Sequence, residues 1–128
     1  MIAVLDWELA TLGHPLADVS FNCLAWHTLP SEYGGILGLD LAALGIPEKQ
    51  AYLARYYDLT GRGAADRVSL FHYVFSLFRF AVIFEGIAAR AAAGNAASDN
   101  AAEVGQLGAA LAKRAVDMIM IETPGLEF

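Results

Sequence analysis

Hydrophobic positions divide the chain into one short apolar run and several longer segments with helical spacing. Residues 2–5 (IAVL) are apolar without interruption and stop at Asp6, which favours a short buried strand. Along residues 16–26, apolar side chains recur every three or four positions, as on one face of a helix. Pro30 and three glycines then predict a loop as far as Gly38.

Start and stop signals indicate two further helices. Pro47 is placed to open one that continues to about Leu59. Asn100, with Glu103 three residues later, has the spacing of a capping box. It predicts a final helix that ends near Ile121.

The most apolar part of the chain, residues 67–93, predicts a long helix with Asp66 as its N-cap. Apolar residues occupy every face, which is typical of a helix buried on all sides. Charged residues interrupt the run, so burial inside a protein explains it better than a membrane. Two of them, Arg79 and Glu85, are spaced to point to different faces. We expect two separate ion pairs, buried or at the rim, with a substrate cleft facing one of them as the alternative.

Composition and charge exclude several classes of function. The 128 residues, predicted to form a single domain over 1–128, carry a net charge of −6. That balance argues against a nucleic-acid partner, because phosphates recruit cations, and 57% apolar residues exclude disorder. The lone cysteine, Cys23, is predicted to be an inert core thiol of a cytoplasmic protein. The apolar surplus indicates a face that meets a partner.

Asp6 is the candidate for metal chemistry. It follows the predicted strand directly, which would hold its carboxylate rigidly at the strand's end. Carboxylate oxygens suit Mg²⁺, and phosphoryl transfer uses such a group to hold the metal that bridges the phosphates. A strand followed by Asp also describes many ordinary turns, so this pattern alone leaves both interpretations open.

The wider segment, residues 2–18 (IAVLDWELATLGHPLAD), resembles the aminoglycoside phosphotransferase family. These small-molecule kinases have a protein-kinase-like fold. The shared pattern is an apolar strand, Asp, a Trp-Glu pair, and then Gly-x-Pro-x-x-Asp. The form of this segment, with residues 75–79 (FSLFR) and 94–96 (GNA), looks most like the branch associated with acyl-CoA dehydrogenases.

The resemblance implies roles for individual residues. Asp6 corresponds to the family's Mg²⁺-binding aspartate, within a metal-binding segment 1–18. Glu8 either orients Asp6 or caps the turn. Asp18 matches a second acidic position, for which we expect a structural role with helix amides as partners. His14 stands where the family usually has the Asp of Gly-Asp-Pro.

The implied fold is mainly α: the helical C-terminal subdomain of a protein-kinase-like fold, with one short N-terminal strand. The family's catalytic loop, His-x-Asp with a later Asn, lies before the metal aspartate, and nothing precedes Met1 here. We therefore expect no catalytic residue within this chain, no tight nucleotide binding, and no activity without the missing N-terminal lobe. The complete enzyme would use Mg²⁺ to transfer the γ-phosphoryl group of ATP or GTP to a small-molecule hydroxyl.

Two questions stay open at this stage. The acceptor is either a cationic aminoglycoside or a hydroxy compound such as an acyl-CoA-linked one. The rival to a kinase fragment is a non-catalytic helical module that binds a partner or forms a homodimer through an exposed apolar face. Neither interpretation requires a membrane.

Overall fold

The structure, a computed structural model, describes residues 2–3 and 12–124. Its helices, in chain order, are α1 (Pro15–Asn22), α2 (Lys49–Thr60), α3 (Leu70–Ala92), α4 (Ala101–Gly105) and α5 (Leu107–Glu122), with a 3-10 helix at Cys23–His27 after α1. This part of the chain is mainly helical and contains no strand. Half of the strand predicted at residues 2–5 lies outside the described residues, and Ile2 and Ala3 have irregular backbone.

The helix predicted at residues 16–26 forms in two pieces. Pro15 occupies its first turn, where a missing N–H costs nothing, so α1 begins one residue early. At Cys23 the backbone tightens into the 3-10 helix. The following loop closes against it, since the N–H of Ile36 donates to the Ala25 carbonyl (2.8 Å). Gly35 is required there because a Cβ would lie 2.0 Å from the Thr28 carbonyl oxygen.

Helix α2 begins two residues after Pro47, whose carbonyl accepts a hydrogen bond from the Trp26 indole (3.2 Å). The helix ends at Thr60, one residue after the predicted end near Leu59, and the positive φ of 66° at the C-cap Gly61 explains why it stops there.

The predicted N-cap of α3 was wrong. Asp66 lies in the preceding loop and pairs with Arg62, while Ser69 is the N-cap. The Ser69 N–H donates to Nδ1 of His72 (3.1 Å), the return arm of a capping box. At the other end, the positive φ of 71° at Gly94 follows the helix as predicted.

Burial of α3 on all sides was also wrong. One face, including Tyr73, Leu77 and Phe84, is buried, whereas aromatic residues on the opposite face are exposed. Arg79 and Glu85 lie at the surface, and neither forms an ion pair with a described residue. By length and composition α3 could also cross a membrane, a test that the core helix of a soluble protein passes equally.

The last predicted helix is divided at Gln106 into α4 and α5. The capping box expected at its start does not form, because Asn100 accepts from the Ser98 hydroxyl (2.5 Å) rather than from a helix amide. Two glycines let these helices approach α3 closely. A Cβ on Gly105 would lie 2.8 Å from the Ala88 backbone, and one on Gly108 would lie 3.2 Å from the Ala81 carbonyl oxygen.

Helix α3 is the central element, packed by α1, α4 and α5. Its buried face contributes to two cores. The α2-side core contains Leu16, Val19, Cys23, Leu53, Tyr57 and Tyr73. The α5-side core contains Leu24, Leu77, Ala81, Phe84, Leu111 and Ala115.

Candidate functional site

The residues that carry the metal hypothesis, Asp6 and Glu8, lie outside the described residues. The described residues resume at Leu12 and so include the last part of the predicted metal-binding segment 1–18, with His14 and Asp18. The described part of the candidate site consists of the side chains that surround the turn before α1.

His14 is the N-cap of α1. Its backbone is extended (φ −74°, ψ 123°), and its Nδ1 accepts a hydrogen bond from the Leu16 N–H (3.4 Å). An imidazole thus takes the capping position that an aspartate would usually occupy in Gly-Asp-Pro. Because Pro15 supplies the fixed φ of the first turn, the turn retains helix-starting geometry despite the His14 departure.

Asp18 lies in the first turn of α1, where a carboxylate is favourably placed in the field of the helix. Its side chain is exposed and accepts no hydrogen bond from a helix amide within residues 2–3 and 12–124, unlike the expected structural role. It lines a concavity of about 310 Å³ together with Pro15, Val19, Asn22, Tyr52 and Tyr56. The geometry gives Asp18 an open surface between α1 and α2.

A polar cluster joins α1 to the loop before α3. Nε2 of His14 lies 3.8 Å from the Asp66 carboxylate, which also pairs with Arg62. The His72 ring is 6.2 Å from that of His14. The sequence did not predict the pairing of Arg62 with Asp66, because Asp66 was expected to be an N-cap, and nothing in it placed His14 beside them. Within residues 2–3 and 12–124 no three His, Cys, Asp or Glu side chains are arranged to hold a metal.

A second titratable cluster lies at the edge of the α2-side core. The Lys49 ammonium is 2.9 Å from Nε2 of His27 and 4.7 Å above the Tyr73 ring. Burial, reinforced by Lys49 and Arg114, lowers the pKa of His27 to about 4, so this imidazole is neutral and accepts from Lys49. Burial also raises the pKa of Cys23 to about 11, which agrees with the predicted inert core thiol.

A cleft of about 340 Å³ opens on the other side of α3. It is lined by Tyr33, Ile87, Arg90, Ala96, Ala97, Ser98, Asn100, Ala101 and Val104. Tyr33 holds a positive φ of 62°, and its ring packs edge-on against Phe84 (5.1 Å). Sequence reasoning missed this cleft, because its walls come from the loop before α2, from α3, from the loop between α3 and α4, and from α4.

The sequence did not predict one further ion pair. Arg114 of α5 donates to the Glu32 carboxylate (2.6 and 2.8 Å), and Glu32 also accepts from the Leu29 N–H. The hydrogen bonds from Arg114 and Leu29 outweigh burial and lower the pKa of Glu32. This contact joins residues 82 positions apart, so no local pattern could signal it.

The curated proteins that resemble this chain include two acyl-CoA dehydrogenase family members. The chain is 40% identical over 120 residues to mouse "acyl-CoA dehydrogenase family member 10" and 29% identical over 140 residues to human "acyl-CoA dehydrogenase family member 11". The first match covers 91% of this chain and the second all of it. The chain spans only 11% and 18% of these relatives, respectively. No family model matches the sequence.

A solved structure extends the comparison to the fold. An aminoglycoside phosphotransferase-like protein from Ralstonia eutropha JMP134 superposes with a TM-score of 0.79 at 41% identity. The match covers 91% of this chain and 35% of that one. Together with the helical architecture, this similarity identifies the chain as having the fold of the C-terminal helical region of a kinase-like phosphotransferase.

Proposed function

We propose that this chain is the C-terminal helical part of a small-molecule kinase that transfers the γ-phosphoryl group of ATP or GTP to a hydroxyl. The observation that carries the proposal is the 0.79 TM-score to an aminoglycoside phosphotransferase-like protein at 41% identity. Asp6 would hold a Mg²⁺ ion, since its carboxylate has the chemistry that Mg²⁺ prefers, and the ion would offset the negative charge of the nucleotide phosphates.

The described residues support this role as a scaffold. The His14 cap and Pro15 fix the start of α1 nine residues after Asp6 in the chain. The contact of His14 with Asp66 then ties the turn to the loop before α3. Phosphoryl transfer depends on positioning and electrostatics, so a turn that is held in place a few residues after the proposed metal ligand in the chain would serve the reaction. Glu8 would support Asp6, and Asp18 would line the nearby surface.

The acceptor is proposed to be an acyl-CoA-linked hydroxy compound rather than an aminoglycoside. The support is that the curated relatives are named as acyl-CoA dehydrogenase family members. The net charge of −6 by itself would favour a cationic aminoglycoside over an anionic acyl-CoA, so the assay compares the two acceptors directly.

A chimera tests the proposal. This chain replaces its counterpart, about a third of the length, in the Ralstonia protein. Binding of Mg²⁺ with a non-hydrolysable ATP analogue is measured by calorimetry, and ADP release is followed with hydroxyacyl-CoA and aminoglycoside acceptors. We expect Mg²⁺-dependent binding and acceptor-stimulated turnover in the chimera, and neither in the chain alone.

Asp6→Ala and Asp58→Ala form a matched pair for this assay. Asp58 is an exposed residue of α2, so its loss should leave turnover unchanged. Asp6→Ala should abolish turnover while circular dichroism shows the same helical content. Turnover that survives Asp6→Ala would refute the metal role, and turnover with aminoglycosides alone would refute the acyl-CoA-linked acceptor.

A further inference from the structure

The exposed face of α3 carries a continuous row of large apolar side chains. Phe71, Phe75, Phe78 and Val82 follow one another at i, i+4, i+7 and i+11, and they are 69%, 39%, 59% and 53% exposed. We call these four residues the aromatic stripe. Ile83 extends it and is 48% exposed. At 1.5 Å per residue the stripe is roughly 16 Å long, three helical turns.

The stripe is built as a contact surface rather than left over from the core. Phe71 and Phe75 stack with their rings 5° from parallel and 5.8 Å apart. The Arg79 guanidinium lies 5.8 Å from the Phe75 ring and 5.5 Å from the Phe21 ring, which places a cation beside the stripe. A contiguous apolar surface with a charged rim marks an interaction site.

We propose that the aromatic stripe packs against the remaining part of the kinase-like fold, on an apolar element that offers a carboxylate to Arg79. This inference rests on the proposed function. The support is the solved relative, in which the matched region is 35% of one chain, so two thirds of that chain is available as a neighbour. The buried face of α3 is already occupied by α1, α4 and α5, which leaves the stripe as its open side.

A second copy of the chain is a poorer occupant of the stripe. A two-fold dimer would pair the stripe with itself, so residues near its midpoint would face their own copies. Arg79 lies within three residues of the midpoint between Phe71 and Val82. Self-pairing would therefore bring two guanidinium groups together, and like charges facing each other across an interface are costly.

Thiol accessibility tests the occupant directly. Phe78→Cys places a reporter on the stripe, and Leu59→Cys places one on α2, where Leu59 is 68% exposed. Cys23 contributes little background because burial raises its pKa to about 11. Maleimide labelling rates are measured in the chain alone and in the Ralstonia chimera, with light scattering to give the oligomeric state of each.

We expect Phe78→Cys to label at least tenfold more slowly in the chimera than in the chain alone, whereas Leu59→Cys labels equally in both. Equal rates for Phe78→Cys would overturn the proposal. So would a stable dimer of the chain alone that protects Phe78→Cys while leaving Leu59→Cys reactive. Because labelling does not depend on catalysis, an inactive chimera with a protected stripe would refute the proposed function and leave this interface standing.

Discussion

The core beside α2 and the core beside α5 share α3 as a common wall, yet they are built from different chemistry. The α2-side core contains a thiol and two tyrosines, and a lysine–histidine contact lies at its edge. The α5-side core contains only aliphatic and phenyl side chains. On this side of α3, glycines allow the helices to approach closely. Gly105 of α4, for example, has no room for a Cβ beside Ala88 of α3.

The difference lies in how the two helices are held. Helix α5 packs along α3 through close backbone contact, so its stability depends on shape. Helix α2 is joined mainly through side chains: Leu53 and Tyr57 insert into the core, Lys49 contacts His27, and the Tyr57 hydroxyl accepts from the Val68 N–H (2.9 Å). We therefore expect the α5 side to respond most to changes in volume and the α2 side to respond also to changes in charge.

Truncating one leucine in each core should give the largest contrast. Leu111 is fully buried in the α5-side core, whereas Leu53 is 9% exposed at the edge of the α2-side core. Leu111→Ala should lower the free energy of unfolding by about 3–4 kcal/mol, and Leu53→Ala by about 2 kcal/mol, since a tighter site collapses less around a cavity. Urea denaturation followed by circular dichroism measures both. Equal losses would mean that the two cores are packed alike.

Adding a single methyl group tests the close contact between α4 and α3. A Cβ on Gly105 would meet the Ala88 backbone at 2.8 Å, whereas one on the exposed Gly63 would have no neighbour within 4 Å. We expect Gly105→Ala to lower the free energy of unfolding by about 2–3 kcal/mol because backbone cannot move aside easily. Gly63→Ala should change it by less than about 0.5 kcal/mol. A neutral Gly105→Ala variant would show that α4 can shift away from α3.

The sequence predicted the helices where local signals decided them. Pro15 set the start of α1, and Gly61 and Gly94 marked the ends of α2 and α3. It failed where two local signals competed, since Asp66 and Ser69 are both good N-caps. In the structure Ser69 forms a capping box with His72, and Asp66 pairs with Arg62 instead. The metal role of Asp6 remains a prediction, because Asp6 lies outside the described residues.

Local sequence patterns could not predict the long-range features, and the reason is physical. An apolar position on α3 looks the same in sequence whether it faces α5, as Leu77 does, or solvent, as Phe78 does. Which face is covered depends on elements far away in the chain. The same holds for Glu32 and Arg114, which are 82 positions apart, and for the cleft between Tyr33 and Arg90.

Two neighbouring cations on α5 allow a partly buried ion pair to be compared with an exposed one. Arg114 and Glu32 are 23% and 14% exposed, whereas Lys113 and Asp117 are 74% and 53% exposed. Arg114→Met should cost about 2 kcal/mol because it leaves the Glu32 carboxylate half-buried without its cation. Lys113→Met should cost less than about 0.5 kcal/mol. Comparable effects in thermal denaturation would contradict a special role for the contact between Arg114 and Glu32.

The smallest effect we expect is a pH dependence that belongs to the α2 side. His27 has a pKa of about 4 when folded, against an ordinary value of 6.5, because burial and then Lys49 and Arg114 disfavour its cation. Between these values the unfolded chain binds a proton that the folded chain does not, so stability falls as the pH drops from about 6.5 to 4. Discounted for partial exposure to solvent, the loss is about 1–2 kcal/mol.

His27→Gln isolates this contribution, because the glutamine carbonyl can still accept from Lys49 but cannot titrate. The free energy of unfolding of the two proteins, measured by urea denaturation at intervals from pH 7.5 to 4, should converge as the pH falls if the variant is the less stable at pH 7.5. Whichever protein is the more stable at pH 7.5, the free energy of unfolding of the variant should rise relative to that of the unsubstituted protein by about 1–2 kcal/mol over this range. If the difference in free energy of unfolding does not change with pH, the pKa of His27 is the same in the folded and unfolded chain. The α2 side would then have no pH dependence of its own from this residue.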